Sequence, residues 1–163
     1  MKKAVFTLIA VCMALGAFAQ IDSTKQYFKI PYIPAFNIRK IPDSSSFTNT
    51  MLQKGKPVII VFFDPDCDHC QHATKNFTEK IDKFKDVQIV MVTIYEFSRI
   101  KKFYKDYKLA NFPNIILTRD ALFDLPKYYQ VSSLPDVYVY DKNGKLIKHY
   151  KQDIPVDEIA GLF

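Results

Sequence analysis

The sequence is short of the residues that mark three unusual classes of protein. Its 163 residues include 4 glycines, 9 prolines and 3 cysteines. So few cysteines exclude a disulfide-stapled miniprotein, and so little glycine and proline excludes a collagen-like or low-complexity chain. With 48% hydrophobic and 25% charged residues, the chain is too apolar to be disordered. The composition is that of one globular domain.

Long apolar runs are also scarce, and the one at the N-terminus has the features of a signal peptide. Lys2 and Lys3 precede an apolar run over 4–18, and residues 17–19 read Ala-Phe-Ala, a small-x-small cleavage site. The run is shorter than the roughly 20 residues of a membrane-spanning helix, so cleavage after Ala19 is favoured over a membrane anchor. We therefore expect an exported, periplasmic protein that has no stable membrane span after cleavage of residues 1–19.

No cluster of basic side chains is present that could follow a nucleic-acid backbone. Cleavage removes Lys2 and Lys3, so the formal net charge falls from +6 to about +4. The remaining lysines and arginines are interspersed with carboxylates, as on a solvated surface. We therefore expect no nucleic-acid partner.

After the signal, the apolar pattern alternates between strands and helices. Residues 20–33 predict a loosely held arm that leads into a hairpin, and residues 34–163 predict a single domain. The run at 58–63 has no polar alternation, which is typical of a strand that is buried on both faces. The pattern predicts strands over 58–63, 87–94, 114–117, 136–140 and 145–150, and helices over 68–84, 97–107, 121–131 and after Pro155. The predicted fold class is α/β.

The cleaved chain keeps two cysteines, Cys67 and Cys70, where the first core strand gives way to its helix. A bridge that closes so short a loop removes little chain entropy, so the pair is not a structural staple. Free N–H groups and the helix dipole at a helix start are expected to stabilise the Cys67 thiolate, the nucleophile of disulfide exchange. Cys70 shares the apolar stripe of its helix with Phe77 and therefore faces inward. We predict that Cys67 attacks and that Cys70 resolves the mixed disulfide.

Three neighbouring side chains are expected to tune this pair. A partly positive His69 imidazole would stabilise the thiolate and make the pair more oxidising. Asp66 and Asp68 would act in the opposite direction, because a carboxylate repels a neighbouring thiolate. The sign of the sum does not follow from the sequence.

A copper or zinc chaperone is the alternative function for the same residues. Thiolates suit Cu(I), and His69 or His72 could add a nitrogen ligand. A structural zinc site needs four ligands, however, and the remaining histidine, His149, is remote in sequence. His72 is more simply interpreted as a solvated helix residue. We therefore expect no metal site and no cofactor other than a redox-active Cys67–Cys70 disulfide.

A set of ordered motifs extends from residue 34 to the C-terminus. They lie at 34–36, 54–57, 61–70, 129–135 and 140–145. Together they resemble the thioredoxin superfamily, and more closely its exported, TlpA-like thiol-disulfide oxidoreductases. The resemblance implies a thioredoxin-like fold, with a central mixed sheet, helices on both faces and an N-terminal hairpin extension. It also implies disulfide exchange with cysteine-containing exported proteins, more often as a reductase, and an upstream thiol donor. We expect a monomer.

The resemblance also implies where the substrate binds. In this family a cis-proline lies against the CxxC pair, which here corresponds to Pro135, and the backbone of Leu134 would pair with an extended substrate segment. Phe63 and Leu134, together with the aromatic residues near Tyr128, would form an apolar floor for that groove.

Three positions depart from related patterns. Asp66 stands where the family usually has an aromatic residue, and Val61 stands where thioredoxin has a buried carboxylate that accepts a proton from the resolving thiol. Glu96 could replace that carboxylate, although a solvated residue at a helix start is the simpler interpretation. A peroxidase of related fold would have Thr or Ser where this chain has Asp64, so a peroxidase is disfavoured.

Overall fold

A computed structural model describes residues 31–163, so the predicted signal peptide and most of the predicted arm lie outside the described residues. The centre of the fold is a seven-stranded mixed sheet in the order β2-β1-β5-β4-β3-β6-β7. The strands are β1 Asn37–Lys40, β2 Ser46–Thr48, β3 Val58–Phe62, β4 Gln88–Thr93, β5 Ile115–Arg119, β6 Asp136–Tyr140 and β7 Leu146–Lys151. β3, β4 and β5 are parallel, and the other neighbouring strands pair antiparallel.

Four helices cover the two faces of this sheet. They are α1 Asp68–Glu79, α2 Phe97–Asp106, α3 Asp124–Tyr129 and α4 Val156–Ala160, with short 3-10 turns at Asn49–Met51, Ile81–Phe84 and Leu109–Asn111. Buried side chains of α1, α2 and α4 pack on one face of the sheet. Those of α3 pack on the other face. The predicted α/β class, with helices on both faces, is confirmed.

The N-terminal hairpin extension is present as β1 and β2. Ile38 of β1 lies opposite Phe47 of β2, and both side chains are buried. Arg39 of β1 pairs in antiparallel register with Arg119 of β5, so the hairpin extends the main sheet rather than forming a separate unit.

Two predicted helices are shorter in the structure than the sequence indicates. The helix predicted over 68–84 ends at Glu79 and continues as the 3-10 turn at Ile81–Phe84. The helix predicted over 121–131 starts only at Asp124, because Phe123 has a left-handed backbone with φ of 61°. The Asp120 carboxylate accepts the backbone N–H of Leu125 at 2.8 Å and so closes that turn.

The β6–β7 turn forms at the predicted position. Gly144 has φ of 74°, the region that favours glycine. The Asp141 carboxylate accepts the backbone N–H groups of Asn143 at 2.8 Å and Lys145 at 2.9 Å.

This architecture places the carboxyl ends of β3 and β4 at one edge of the sheet, beside the start of α1. Ligands of open α/β sheets bind at such an edge. None of the helices within residues 31–163 is both long and apolar enough to cross a membrane.

Candidate functional site

Cys67 and Cys70 occupy the first turn of α1, directly after β3. Cys67 is the N-cap residue, and its Sγ accepts the backbone N–H of Cys70 at 3.4 Å. Free N–H groups at a helix start favour a negative charge on an N-cap atom. Cys67 is partly exposed, whereas Cys70 is only 1% exposed. The structure therefore gives the two sulfurs the unequal access that the sequence predicts.

The surroundings of Cys70 keep its thiol neutral. Burial raises the pKa of the Cys70 thiol well above its ordinary value, and a hydrogen bond to Cys67 adds to this increase. The backbone N–H of Asp64 opposes it by favouring the thiolate, while the negative charge of Asp64 raises the pKa again. Cys70 therefore stays protonated at neutral pH, as expected for a resolving thiol that reacts only after a mixed disulfide has formed.

The three predicted tuning residues adjoin the two cysteines in the sequence, but the side chain of each has a different environment in the structure. Asp66 is paired with Arg99 of α2. Asp68 lies in the first turn of α1. The Nδ1 atom of His69 lies 3.6 Å from the Asp153 carboxylate, and both side chains are exposed. Arg99 could not be predicted as a partner of Asp66 from the sequence, because the two residues lie 33 positions apart in the chain.

A cavity of about 440 Å³ opens beside Cys67. Its walls include the predicted groove residues Phe63 and Leu134. Pro135 follows Leu134, and the peptide bond between them is cis. The structure therefore places Phe63 and Leu134 in the same cavity wall as Cys67.

One aromatic residue of this cavity wall, Phe123, was not predicted from the sequence. Tyr128 lines another cavity, with Phe36 and Ile38, so the expectation that aromatics near Tyr128 form the groove floor is wrong at that position. Phe123 lines the cavity beside Cys67 instead, with 46% of its surface exposed. Phe123 lies directly before α3 and has a left-handed backbone.

The structure also changes which carboxylate is the candidate proton acceptor for the Cys70 thiol. Val61 is buried, as the apolar run predicts, and Glu96 is an exposed residue at the start of α2. Asp64 is the carboxylate that acts on Cys70. In the sequence, Asp64 is notable only as a departure from the peroxidase pattern, and its position next to the resolving thiol becomes visible only in the structure.

The histidines do not assemble with the cysteines. His72 lines a separate shallow cavity with His69 and Asp153. His149 lies on β7, where its Nε2 is 2.5 Å from the carboxylate of the buried Asp136. Within residues 31–163, no group of three or more His, Cys, Asp or Glu side chains could hold a metal ion.

Comparisons with known proteins agree with this fold and site. Residues 47–163 match the family model of the thioredoxin-like domain. The chain is 33% identical over 101 residues to thiol-disulfide oxidoreductase ResA of Bacillus thuringiensis subsp. konkukian. The aligned segment covers 60% of this chain and 56% of ResA. The chain therefore matches little more than half the length of this curated relative.

Two solved structures share the fold at low sequence identity. A secreted disulfide oxidoreductase of Mycobacterium tuberculosis, described as homologous to E. coli DsbE, has a TM-score of 0.66 and 20% identity, over 77% of this chain and 92% of its own. A structure described as a putative protein disulfide isomerase from Bacteroides thetaiotaomicron has a TM-score of 0.67 and 21% identity, over 80% of this chain and 82% of its own.

The fold and the first-turn cysteine pair define a thioredoxin-like protein. Because the family model covers most of the chain, this protein belongs to the thioredoxin-like domain family.

Proposed function

We propose that this protein is an extracytoplasmic thiol-disulfide oxidoreductase that reduces disulfides of exported proteins. The observation that carries the proposal is the pair of unequal sulfurs: Cys67 is accessible at a helix N-cap, and Cys70 is buried beneath it with a raised pKa. The match to ResA, itself a thiol-disulfide oxidoreductase, supports the same chemistry.

The reaction would proceed in two exchange steps. The Cys67 thiolate attacks one sulfur of a substrate disulfide, which forms a mixed disulfide and releases the other substrate sulfur as a thiolate that takes up a proton. The Cys70 thiol then loses its proton and attacks the Cys67 sulfur. This step forms the Cys67–Cys70 disulfide and releases the second substrate thiol. Two electrons pass to the substrate, and an upstream thiol donor must return them.

The cavity beside Cys67 supports the choice of a protein substrate. Phe63, Phe123 and Leu134 give it an apolar wall, and the cis peptide bond before Pro135 lies at the end of the same segment. An extended substrate segment could pair with the backbone of Leu134 while its cysteine reaches Cys67.

The charges around the pair support the reducing direction. Asp64, Asp66 and Asp68 lie near the sulfurs, and one arginine, Arg99, is paired with the first two. A carboxylate near a thiol opposes formation of the thiolate and so favours the disulfide, which is the direction of a reductant.

Export is proposed from the sequence. The cationic start, the short apolar run and the Ala17–Ala19 site predict cleavage before Gln20. Sequencing the N-terminus of protein recovered from the extracytoplasmic fraction tests this directly, and a mature protein that retains Met1 would contradict it.

The alternative of a copper or zinc chaperone gains no support from the geometry. It needs a histidine beside the two sulfurs, but the described histidines interact with Asp153 or Asp136, or lie apart in the shallow cavity. Equilibrium dialysis of the reduced protein against Cu(I) or Zn²⁺ distinguishes the two functions, since a chaperone would retain one metal ion per chain.

The central test is dithiothreitol-dependent reduction of insulin disulfides. Cys67→Ser should abolish the protein-catalysed rate, and Cys70→Ser should trap a mixed disulfide with the substrate. Ser133→Ala is a matched control, because Ser133 lines the same cavity but carries no sulfur. Unchanged insulin reduction by Cys67→Ser would refute the proposed function.

A further inference from the structure

Arg99 connects α2 to the loop that carries the cysteines. Its Nη2 lies 3.4 Å from Oδ1 of Asp64 and also donates to Oδ2 of Asp66. The guanidinium lies over the ring of Tyr95, 4.3 Å from its centroid. These contacts hold one cation against two carboxylates and an aromatic face.

Both carboxylates lie close to the reacting sulfurs. The Asp64 backbone N–H and carboxylate both act on Cys70. The Asp64 carbonyl accepts the backbone N–H of Cys67 at 3.2 Å, and Asp66 directly precedes Cys67. A change of charge at either carboxylate is therefore felt at the thiolate.

Tyr95 fixes the position of this cluster from its other side. A hydrogen bond to the Asp64 carboxylate raises the pKa of Tyr95 above its ordinary value, and partial burial adds to the effect. The phenol therefore stays neutral and oriented while it carries the Arg99 guanidinium on its ring. Arg99, Asp64 and Asp66 together have a net charge of −1.

Other charged groups near the sulfurs lie on different elements. Asp68 and His69 belong to the first turn of α1, and Asp153 follows β7 and lies beside His69. These groups make no contact with Arg99 that would replace it. Lys102 of α2 also acts electrostatically on Asp66, but its ammonium group is held by Asp106. The loss of Arg99 would therefore leave Asp64 and Asp66 without a directly bonded cation.

We propose that Arg99 is a positioning residue that sets the redox equilibrium of the Cys67–Cys70 pair by compensating Asp64 and Asp66. The inference rests on the proposed function only in that these two sulfurs form the working disulfide. Without the guanidinium, the cluster charge changes from −1 to −2, which disfavours the thiolate and hence the reduced form. The variant pair is a stronger reductant than the native pair.

The size of the effect follows from the partial exposure of the cluster. The side chains of Arg99 and Asp66 are 37% and 69% exposed, so water screens the charges strongly. A unit charge on a neighbouring side chain in such surroundings changes the equilibrium about three- to five-fold. With 29.6 mV per tenfold change, this corresponds to about 14–21 mV.

The experiment is a charge cycle measured by equilibration with reduced and oxidised glutathione at about pH 9.5, above the ordinary pKa of a thiol. Arg99→Gln should shift the pair three- to five-fold towards the disulfide. Asp66→Asn, which brings the cluster to zero charge, should shift it towards the dithiol. The double variant restores the net charge of −1 and should return close to the native equilibrium, and so should Arg99→Lys.

The matched control is Lys75→Gln. Lys75 is an exposed lysine of α1 that pairs with Glu79 at 3.7 Å, two turns beyond the cysteines. The Lys75→Gln variant loses the same unit charge as Arg99→Gln and should leave the redox equilibrium of the cysteine pair unchanged. All shifts should also shrink at 1 M salt, where the screening length is about 3 Å.

Two outcomes overturn the inference: an equal shift for Arg99→Gln and the double variant, or a shift for Lys75→Gln as large as that for Arg99→Gln. If Arg99→Gln does not fold, Asp66→Asn and Arg99→Lys still decide, because the first must favour the dithiol and the second must match the native protein. Failure of the proposed function is seen separately, as a protein that equilibrates with glutathione but does not reduce insulin.

Discussion

The backbone N–H of Cys70 donates to the Sγ of Cys67 at 3.4 Å, so the resolving residue helps to hold the attacking sulfur. The same turn buries the Cys70 side chain and leaves Cys67 partly exposed. A single helical turn therefore separates the two chemical roles, because an N-cap atom faces solvent and the residue three positions later faces the core.

Selective alkylation follows from this difference in access. The reduced native protein at about pH 8 should take up one equivalent of iodoacetamide, on Cys67, at least roughly ten-fold faster than a second one on Cys70. Peptide mapping by mass spectrometry identifies the modified residue. In denaturant both cysteines should react at similar rates, and equal rates in the folded protein would contradict the assigned order of attack.

The raised pKa of Cys70 predicts a loss of stability in alkali. The pKa of Cys70 in the folded protein exceeds the ordinary thiol value of 9.0, so the stabilisation is complete below about pH 9 and is lost as the unfolded thiol ionises above it. In a Cys67→Ser background, reduced protein should lose free energy of unfolding relative to Cys70→Ala above about pH 9. Urea titrations at about pH 7 and pH 10 measure this difference, and a pH-independent gap would refute the prediction.

The ion pairs of Asp157 predict an acid-dependent contact between α4 and the segment that follows α1. The Asp157 carboxylate lies 2.5 Å from Nζ of Lys80 and 2.9 Å from Nζ of Lys83, and these hydrogen bonds lower the pKa of Asp157 to about 2. Because the folded value lies below the unfolded one, the stabilisation is present above about pH 4 and is lost towards pH 2.

Asp157→Asn should therefore lower the Tm modestly at pH 7, and the gap to the native protein should close near pH 2. Thermal unfolding followed by circular dichroism gives both values. Glu79→Gln, which breaks a single exposed pair with Lys75, is the control and should change the Tm less at pH 7. A gap that persists at pH 2 would show that the effect of Asp157→Asn is not electrostatic.

Replacement of Phe123 should weaken substrate binding but leave the stability of the protein nearly unchanged. The left-handed backbone of Phe123 suits glycine better than a bulky residue, and its half-exposed ring lines the cavity beside Cys67. Phe123→Gly should therefore keep the free energy of unfolding within about 1 kcal/mol. We expect it to raise the KM for a protein disulfide several-fold with little change in kcat, and to leave exchange with glutathione unchanged.

Leu122→Ala provides the matched comparison for Phe123→Gly. Leu122 is the next residue towards the N-terminus and is more exposed than Phe123, but it is not part of the cavity wall. Its replacement should leave the KM unchanged. A similar rise in KM for both variants would indicate a general surface effect rather than a binding role for Phe123.

The strand and helix pattern of the core was predictable because it is local. The uninterrupted apolar run of β3 and the three-to-four spacing along α1 each reflect the burial of their own residues, so they are visible in the sequence. The turn at Gly144 is equally local, since it depends on one residue with positive φ. The early end of α1 and the late start of α3 were not predictable, because left-handed and 3-10 turns leave no comparable periodicity.

The sequence by itself determined the α/β class and the location of the cysteine pair at a strand–helix junction, since both follow from periodicity and spacing within short segments. The tertiary structure alone decided which charges meet the sulfurs. It brought Arg99 to Asp64 and Asp66 across more than 30 residues of chain, and it placed Phe123 rather than Tyr128 in the cavity wall. Contacts between distant segments depend on how helices pack on the sheet, and neither composition nor spacing records that packing.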